Sequence, residues 1–366
     1  MKIKVTQEKL SKALNIVSRT AVGKATLPIL NNVLIRVNKK KVSLITTNLD
    51  MAVIDFLPVS SSEDGVMTVP AKLLAEFINN LPKGENIEIE SKDTKLIIST
   101  KKYSSTLNGT PADDFPEIPE IDEKSAVVYK INIDDFKNSL NQVLIASSND
   151  LTRPALTGVY FNTFDHTLAI AATDGYRLAE KKLIDKVESE VKAIVPAASL
   201  QEVLRSISDD TEEIEISFNE DLVRFRFGET EIVSKLIDAS FPDYQKLIPK
   251  DNNIEAKLER EELIRITKLA ALFSKTVGGS IICETIKPDT FSVKSIANEF
   301  GENDSKLETE VDKSGKINLN SRFLLDALNA LEEKEISFCF SDKIAPVLLK
   351  NTKDKKYTHI IMPLNS

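Results

Sequence analysis

Few residues of this chain are spaced for chemistry. Histidine occurs twice, at His166 and His359, and cysteine twice, at Cys283 and Cys339. A metal site needs several His, Cys or carboxylate ligands at short recurring spacings, and neither histidine has such company. His166 lies in the turn TFDHTL and His359 in the last strand, which predicts surface or edge positions for both. Two cysteines are too few for a disulfide framework and fit a reducing compartment. Each stands in an apolar run, SIICET or ISFCF, as a small strand residue. Asp113-Asp114 could serve as paired carboxylates for acid–base work. Adjacent acids ahead of Phe-Pro read instead as solvated linker. Gly278-Gly279-Ser280 lacks the Lys and hydroxyl residue of a phosphate-binding loop, and no G-x-S-x-G elbow occurs. The residues therefore predict no metal, no cofactor and no catalytic centre.

What stands out is recognition chemistry. In ATDGYRLA (172–179), Asp174-Gly175 supplies the positive φ that a tight hairpin turn requires. The matching turns are Thr47-Asn48-Leu49-Asp50 and Ala297-Asn298-Glu299, so only the middle copy carries Gly-Tyr-Arg-Leu. A turn that departs from its own repeat is a candidate for specific binding. Basic side chains form a second group: Lys12, Arg19, Lys72, Arg205, Arg265, Lys268 and Arg322 lie opposite the apolar stripes of their helices at 100° per residue. Glu8, Glu76, Glu202 and Asp326 share those faces. Converging on one surface, the basic groups would contact phosphates without sequence preference. No aromatic residues interleave to stack on single strands, so duplex backbone is the better match.

These groups are positioned by a repeat. VPAASLQEVLRSI places Leu200, Val203, Leu204 and Ile207 on one helical stripe. At an offset of 126 positions Leu74, Phe77, Ile78 and Leu81 do the same, and 124 positions later Leu324, Ala327, Leu328 and Leu331. Pro70 and Pro196 stand at helix starts, and Asn320 is the expected N-cap of the third copy. Leu10, Leu14 and Val17 answer to Phe136, Leu140 and Val143, Leu263 and Ile266 mark a third such helix, and Phe115-Pro116 answers to Phe241-Pro242. The order helix, strands, helix, strands, with short polar turns, predicts an α+β fold of three two-helix, antiparallel-sheet domains: 1–120, 128–248 and 254–366. The acidic, Pro-rich PADDFPEIPEIDEKS reads as a linker.

Length alone, 366 residues, excludes one ordinary core. No apolar run spans a bilayer, the first residues lack a signal-peptide core, and a cytoplasmic location is expected. A net charge of −8 excludes a broadly basic coat but not a segregated basic face. From the residues alone three readings stay open: a binder of duplex DNA, a repeat-built protein scaffold, and an enzyme with its site between domains.

TRPALTGVYF, ATDGYRLA, FPDYQKLIP, LNSRFLLDALNAL and the terminal IIMPL, at these spacings over the whole chain, resemble the bacterial sliding clamps, the beta subunits of DNA polymerase III. The resemblance implies the DNA-clamp, or processivity, fold and a ring-forming, head-to-tail homodimer that encircles double-stranded DNA without sequence specificity. Such a ring is non-catalytic. It tethers the replicative polymerase through its alpha subunit, is placed by a clamp loader, and binds other clamp-motif proteins. By motif match, the family's hydrophobic peptide pocket begins at Leu156 and takes Thr173, Gly175, Tyr176, Arg177 and Leu178 from the distinctive turn. Pro242, Lys246 and Leu247 follow, then Asn320 and Phe323, then Ile344 and Pro346. Ile360, Ile361, Met362, Pro363 and Leu364 complete it. Tyr176 stands where His is common in the family, and Lys246 where Arg is. The resemblance adds Lys24 and Asn149 to the residues that touch DNA, and sets Leu107 against Leu272 and Phe273 across the dimer contact.

Overall fold

The computed structural model describes residues 1–21, 27–38, 41–59, 61–208, 210–249, 252–275, 278–297 and 301–364. Lys24 and the third turn at Asn298-Glu299 lie outside the described residues. Six helices occur among them: α1 (Gln7–Val17), α2 (Ala71–Asn79), α3 (Ile133–Leu144), α4 (Ala197–Ser206), α5 (Arg260–Ser274) and α6 (Ser321–Ala330). They fall where the stripes predict, and the two compact units they belong to cut across the repeat. Residues 1–133 with 198–236 make the first unit, and 134–197 with 237–366 the second.

In the first unit an eight-stranded sheet runs Val127–Asn132, Glu213–Phe218, Leu222–Phe227, Thr230–Lys235, Met51–Leu57, Lys41–Thr47, Asn32–Asn38, Gly65–Pro70. Four strands come from the middle repeat and four from the first. They join where Thr230–Lys235 pairs antiparallel with Met51–Leu57. Strand alternation assigns the faces. Thr46 donates from one face to the carbonyl of Val17 at the end of α1 (2.6 Å). Leu34, Ile45 and Ile54 line the other and are covered by Ala112, Phe115 and Ile118. The segment expected to be a plain linker is thus anchored, with Ile121 buried on Leu222 and Val233. Its Asp113 and Asp114 remain exposed, where water solvates the adjacent carboxylates. A five-stranded sheet of Ser61–Glu63, Lys2–Thr6, Asn86–Lys92, Lys95–Ser99 and Ser104–Asn108 completes the unit.

The second unit repeats the design. Its eight-stranded sheet runs Lys192–Pro196, Gly158–Phe164, Thr167–Thr173, Arg177–Asp185, Tyr357–Ile361, Val347–Asn351, Glu335–Phe340, Ile254–Glu259. Middle and third repeats meet where Arg177–Asp185 pairs with Tyr357–Ile361. A four-stranded sheet holds Gly301–Glu308, Thr290–Ala297, Ser280–Ile286 and Gly315–Asn320. Cys283 and Cys339 are buried strand residues, and burial pushes their thiols up to about 12 and about 11. His359 departs from its predicted edge position because its strand pairs on both sides and the residue is fully buried. The Tyr357 hydroxyl donates to the carbonyl of Gln142 (3.1 Å) and lies 2.8 Å from His359 Nδ1. With its one proton so used, the hydroxyl accepts from an Nδ1–H imidazole. Burial, then the nearby Arg177 charge, lowers the imidazole to about 3 and keeps it neutral.

Candidate peptide groove and basic helix faces

The repeat is visible in the hydrogen bonds of its turns. Thr173 Oγ1 donates to the Arg177 carbonyl (2.7 Å) and accepts from Gly175 N (3.1 Å), while Asp174 Oδ1 accepts from Tyr176 N and Arg177 N at 2.9 and 3.0 Å. In the first unit Thr47 Oγ1 donates to the Met51 carbonyl (2.9 Å) and accepts from Leu49 N (3.1 Å), and Asn48 Oδ1 accepts from Asp50 N and Met51 N. Gly175 has φ 92°, as its role demands, and Leu49 accepts φ 77° at the same place.

Arg177 makes the middle turn different. Its guanidinium is buried, with Nε donating to Asp174 Oδ2 (3.0 Å) and Nη1 to Asp326 Oδ2 (2.6 Å), and it lies 4.6 Å above the Phe323 ring. The charge is consumed within the protein, so Arg177 ties the turn to α6 and presents no free cation. Tyr176, 64% exposed, stacks loosely on Phe323 with ring centroids 6.5 Å apart. Asn320 is the N-cap that the sequence predicts, its Oδ1 accepting from Arg322 N and Phe323 N.

Leu178 and Ile360 are register partners and share one apolar cluster with Ala171, Tyr244, Cys339 and Leu348. Ile361 opposes Arg177. Beyond the strand, Met362 N donates to the Tyr176 carbonyl (2.8 Å) and Leu364 N to the Asn318 carbonyl (2.9 Å), which ties the tail to the turn on one side and to the strand before α6 on the other. Pro363 and Leu364 are half-buried and Met362 is exposed. Of these residues Leu178, Ile360 and Ile361 are buried, so the apolar surface here is that of Tyr176, Met362, Pro363 and Leu364. Of the other members Leu156 and Thr173 are buried, Pro346 is half-buried, and Pro242, Leu247 and Ile344 are exposed. Lys246 turns to Asp243 at 2.6 Å, whose hydrogen bond and charge raise its pKa. Sequence reading missed Asp174 and Asp326 as the partners of Arg177. The spacing of three between Asp174 and Arg177 was a usable signal, whereas nothing in the sequence links Arg177 to Asp326.

The basic helix residues are only partly free. Arg19 donates to Glu202 (2.7 Å) and Ser206 (2.8 Å), tying α1 to α4, and Glu202 is buried rather than outward-facing as its stripe suggests. Asp326, also expected on a solvated face, is held by Arg177. Lys12 pairs with Asp210, Arg205 with Glu202, Arg265 with Glu262 and Arg322 with Asp326, all through exposed cations. Lys72, Lys268 and Asn149 are exposed.

Three family models cover the chain in order: the DNA polymerase III beta subunit N-terminal domain over residues 1–119, the central domain over 130–243 and the C-terminal domain over 245–365. This chain belongs to the bacterial sliding-clamp family. The beta sliding clamp of Bacillus subtilis is 27% identical over 380 aligned positions that cover 100% of both chains. The crystal structure of the DNA polymerase III beta subunit of Pseudomonas aeruginosa superimposes with a TM-score of 0.95 at 26% identity, over 100% of each chain. That of the Bartonella birtlesii clamp bound to griselimycin gives 0.93 at 28% identity, again over 100% of each. The chain is thus a DNA sliding clamp with the three-domain clamp fold, a non-catalytic processivity subunit of DNA polymerase III. Clamps of this family form dimeric rings around DNA and bind the polymerase and other partners. Of the residues matched to the family's dimer contact, Leu107 is half-buried on the edge strand Ser104–Asn108, while Leu272 is 61% exposed and Phe273 half-buried near the end of α5. No helix among the described residues is long and apolar enough to cross a membrane.

Proposed function

We propose that two copies of this clamp close head to tail in the cytoplasm, with Leu107 of one copy against Leu272 and Phe273 of the other. Each copy comprises domains 1–120, 128–248 and 254–366. The ring slides on duplex DNA through weak phosphate contacts from Lys12, Arg19, Lys24, Lys72, Asn149, Arg205, Arg265, Lys268 and Arg322. It holds the polymerase, the clamp loader and other clamp-motif proteins by the groove between the Thr173–Arg177 turn and the chain after Tyr357–Ile361. The observation that carries this reading is the ordered match of all three family domains along the full chain. Exposed Tyr176 and Met362, tied by a backbone hydrogen bond beside the buried Leu178 and Ile360, support it as apolar surface that a short peptide can reach. The cations mostly share their faces with acids, so affinity for DNA is low and salt-sensitive, and retention is topological. Light scattering should give a mass near twice 40.7 kDa. Loaded onto nicked circular DNA by a clamp loader, the clamp should remain bound and then leave after linearisation. Equal retention on both forms would refute sliding.

A further inference from the structure

The first unit contains a groove of about 380 Å³ at the place that corresponds, element for element, to the peptide groove of the second. Its floor is Ala52 and Val233, register partners on adjoining strands, as Leu178 and Ile360 are in the second unit. Lys235 N donates to the Asp50 carbonyl at 2.9 Å, as Met362 N does to that of Tyr176 at 2.8 Å. Pro116 forms one wall, where FPEIP answers to FPDYQ. The side chains then diverge. Ala52 in place of Leu178 deepens the floor, and Asp50 in place of Tyr176 opens the rim. Charge changes too: Lys246 is matched by Glu120, and Met51 stands where Arg177 does.

We propose that this groove is a second peptide-docking site, selective for a short segment in which one large apolar side chain is flanked by Lys or Arg. The volume suits one such anchor on an apolar floor. At the rim, Asp50 and Glu117 are exposed and have no ion-pair partner among the described residues, against the single cation of Lys235. The wall continues into exposed Glu120, with Asp113 and Asp114 just before it. That field favours a basic segment and disfavours the acidic one of equal size. The extended chain from Pro116 to Pro119 carries no regular structure and offers a length of backbone for a peptide to follow. This chemistry stands whether or not the second-unit groove takes peptides.

The test uses the full-length dimer and two photoreactive heptapeptides, Gly-Ser-Lys-Bpa-Lys-Ser-Gly and its Glu-for-Lys counterpart, where Bpa is benzoylphenylalanine. After irradiation, adducts are mapped by mass spectrometry. The basic probe should label the segments 47–52, 116–119 or 233–235, and the acidic probe should not. Reversing two rim charges in Asp50→Lys/Glu117→Lys should weaken labelling about tenfold, the product of two exposed charge contacts. Both positions are exposed, so this variant keeps its fold, which thermal melting verifies. Ala52→Phe should block labelling by filling the floor. Absence of adducts in those segments overturns the proposal, as does equal labelling by the acidic probe or an unaltered yield in the charge-reversed protein. Adducts of a clamp-motif peptide on 242–247 and 360–364 report the other groove separately.

Discussion

Replacing Arg177 with Ala isolates what holds the peptide groove in shape. The Arg177 side chain is 7% exposed, and its guanidinium serves two carboxylates at once, Asp174 and Asp326, over the face of Phe323. Breaking a buried pair from one side costs about 3–5 kcal/mol because a charge is left without a partner. Here Asp174 and Asp326 keep 16% and 32% of their side-chain surface in water, so the lower end applies. Loss of the ring contact adds about 0.5–1 kcal/mol, for a total of about 3–4 kcal/mol. The turn itself should survive, since Thr173 and Asp174 hold it through backbone groups. The helix-to-turn tie should not, and peptide binding should fall with it. Arg177→Lys should recover little, because one ammonium cannot span both carboxylates and the ring. Urea unfolding followed by circular dichroism, with Asp326→Asn as the second arm of a double-mutant cycle, should give a coupling of about 1.5–3 kcal/mol. A coupling below about 0.5 kcal/mol would show that the two residues act independently and that the pair does not tie the turn to α6.

His359 gives a pH signature. Its folded pKa of about 3 lies below the unfolded value of 6.5, so its contribution is complete above pH 6.5 and is lost as pH falls towards 3. That amounts to about 1.5 kcal/mol between pH 6.5 and 5, and melting curves of His359→Gln should lack this share of the acid sensitivity. Asp55 has the opposite sign. It is buried, Thr230 donates to it (2.8 Å), and burial raises it from 3.8 to about 6. Its contribution is therefore complete below pH 3.8 and is lost as pH rises through 6. Asp55→Asn should stabilise the clamp by about 1 kcal/mol more at pH 8 than at pH 5, and a pH-independent effect would contradict the raised carboxyl. Among the described residues, deleting Met362 to Ser366 removes the backbone hydrogen bonds of Met362 and Leu364 but no large buried side chain. It should leave dimer mass and melting nearly unchanged and abolish binding of clamp-motif peptides, with Leu178→Ala acting more mildly in calorimetric titration.

The groove was legible wherever its residues are close in sequence. Thr173, Asp174 and Gly175 announce a turn because hydrogen bonding between neighbours depends on local spacing alone. Asn320 announces a helix start for the same reason. The tail was named by resemblance, and its two ties, to Tyr176 and Asn318, could not be read because they cross long loops. The acidic segment around Phe115 misled in part: its composition is that of a linker, yet Phe115 and Ile121 are anchored on strands that the composition does not reveal.

By itself the sequence determined the repeat, the six helices, the antiparallel strands and the inward stripes, since periodicity is set by backbone geometry that each segment carries alone. Tertiary structure decided how the repeats combine. Thr230–Lys235 of the middle repeat pairs with Met51–Leu57 of the first, and Arg177–Asp185 with Tyr357–Ile361 of the third, so the compact units straddle the repeat instead of following it. An edge strand shows in sequence only its alternation, whereas its partner is chosen by whichever distant edge satisfies its backbone groups. The same pairing buried His359, while packing brought Glu202 to Arg19 and Asp326 to Arg177 and left a groove edged by Asp50 and Glu117 in the first unit. Those outcomes depend on which surfaces meet, and no local pattern records that.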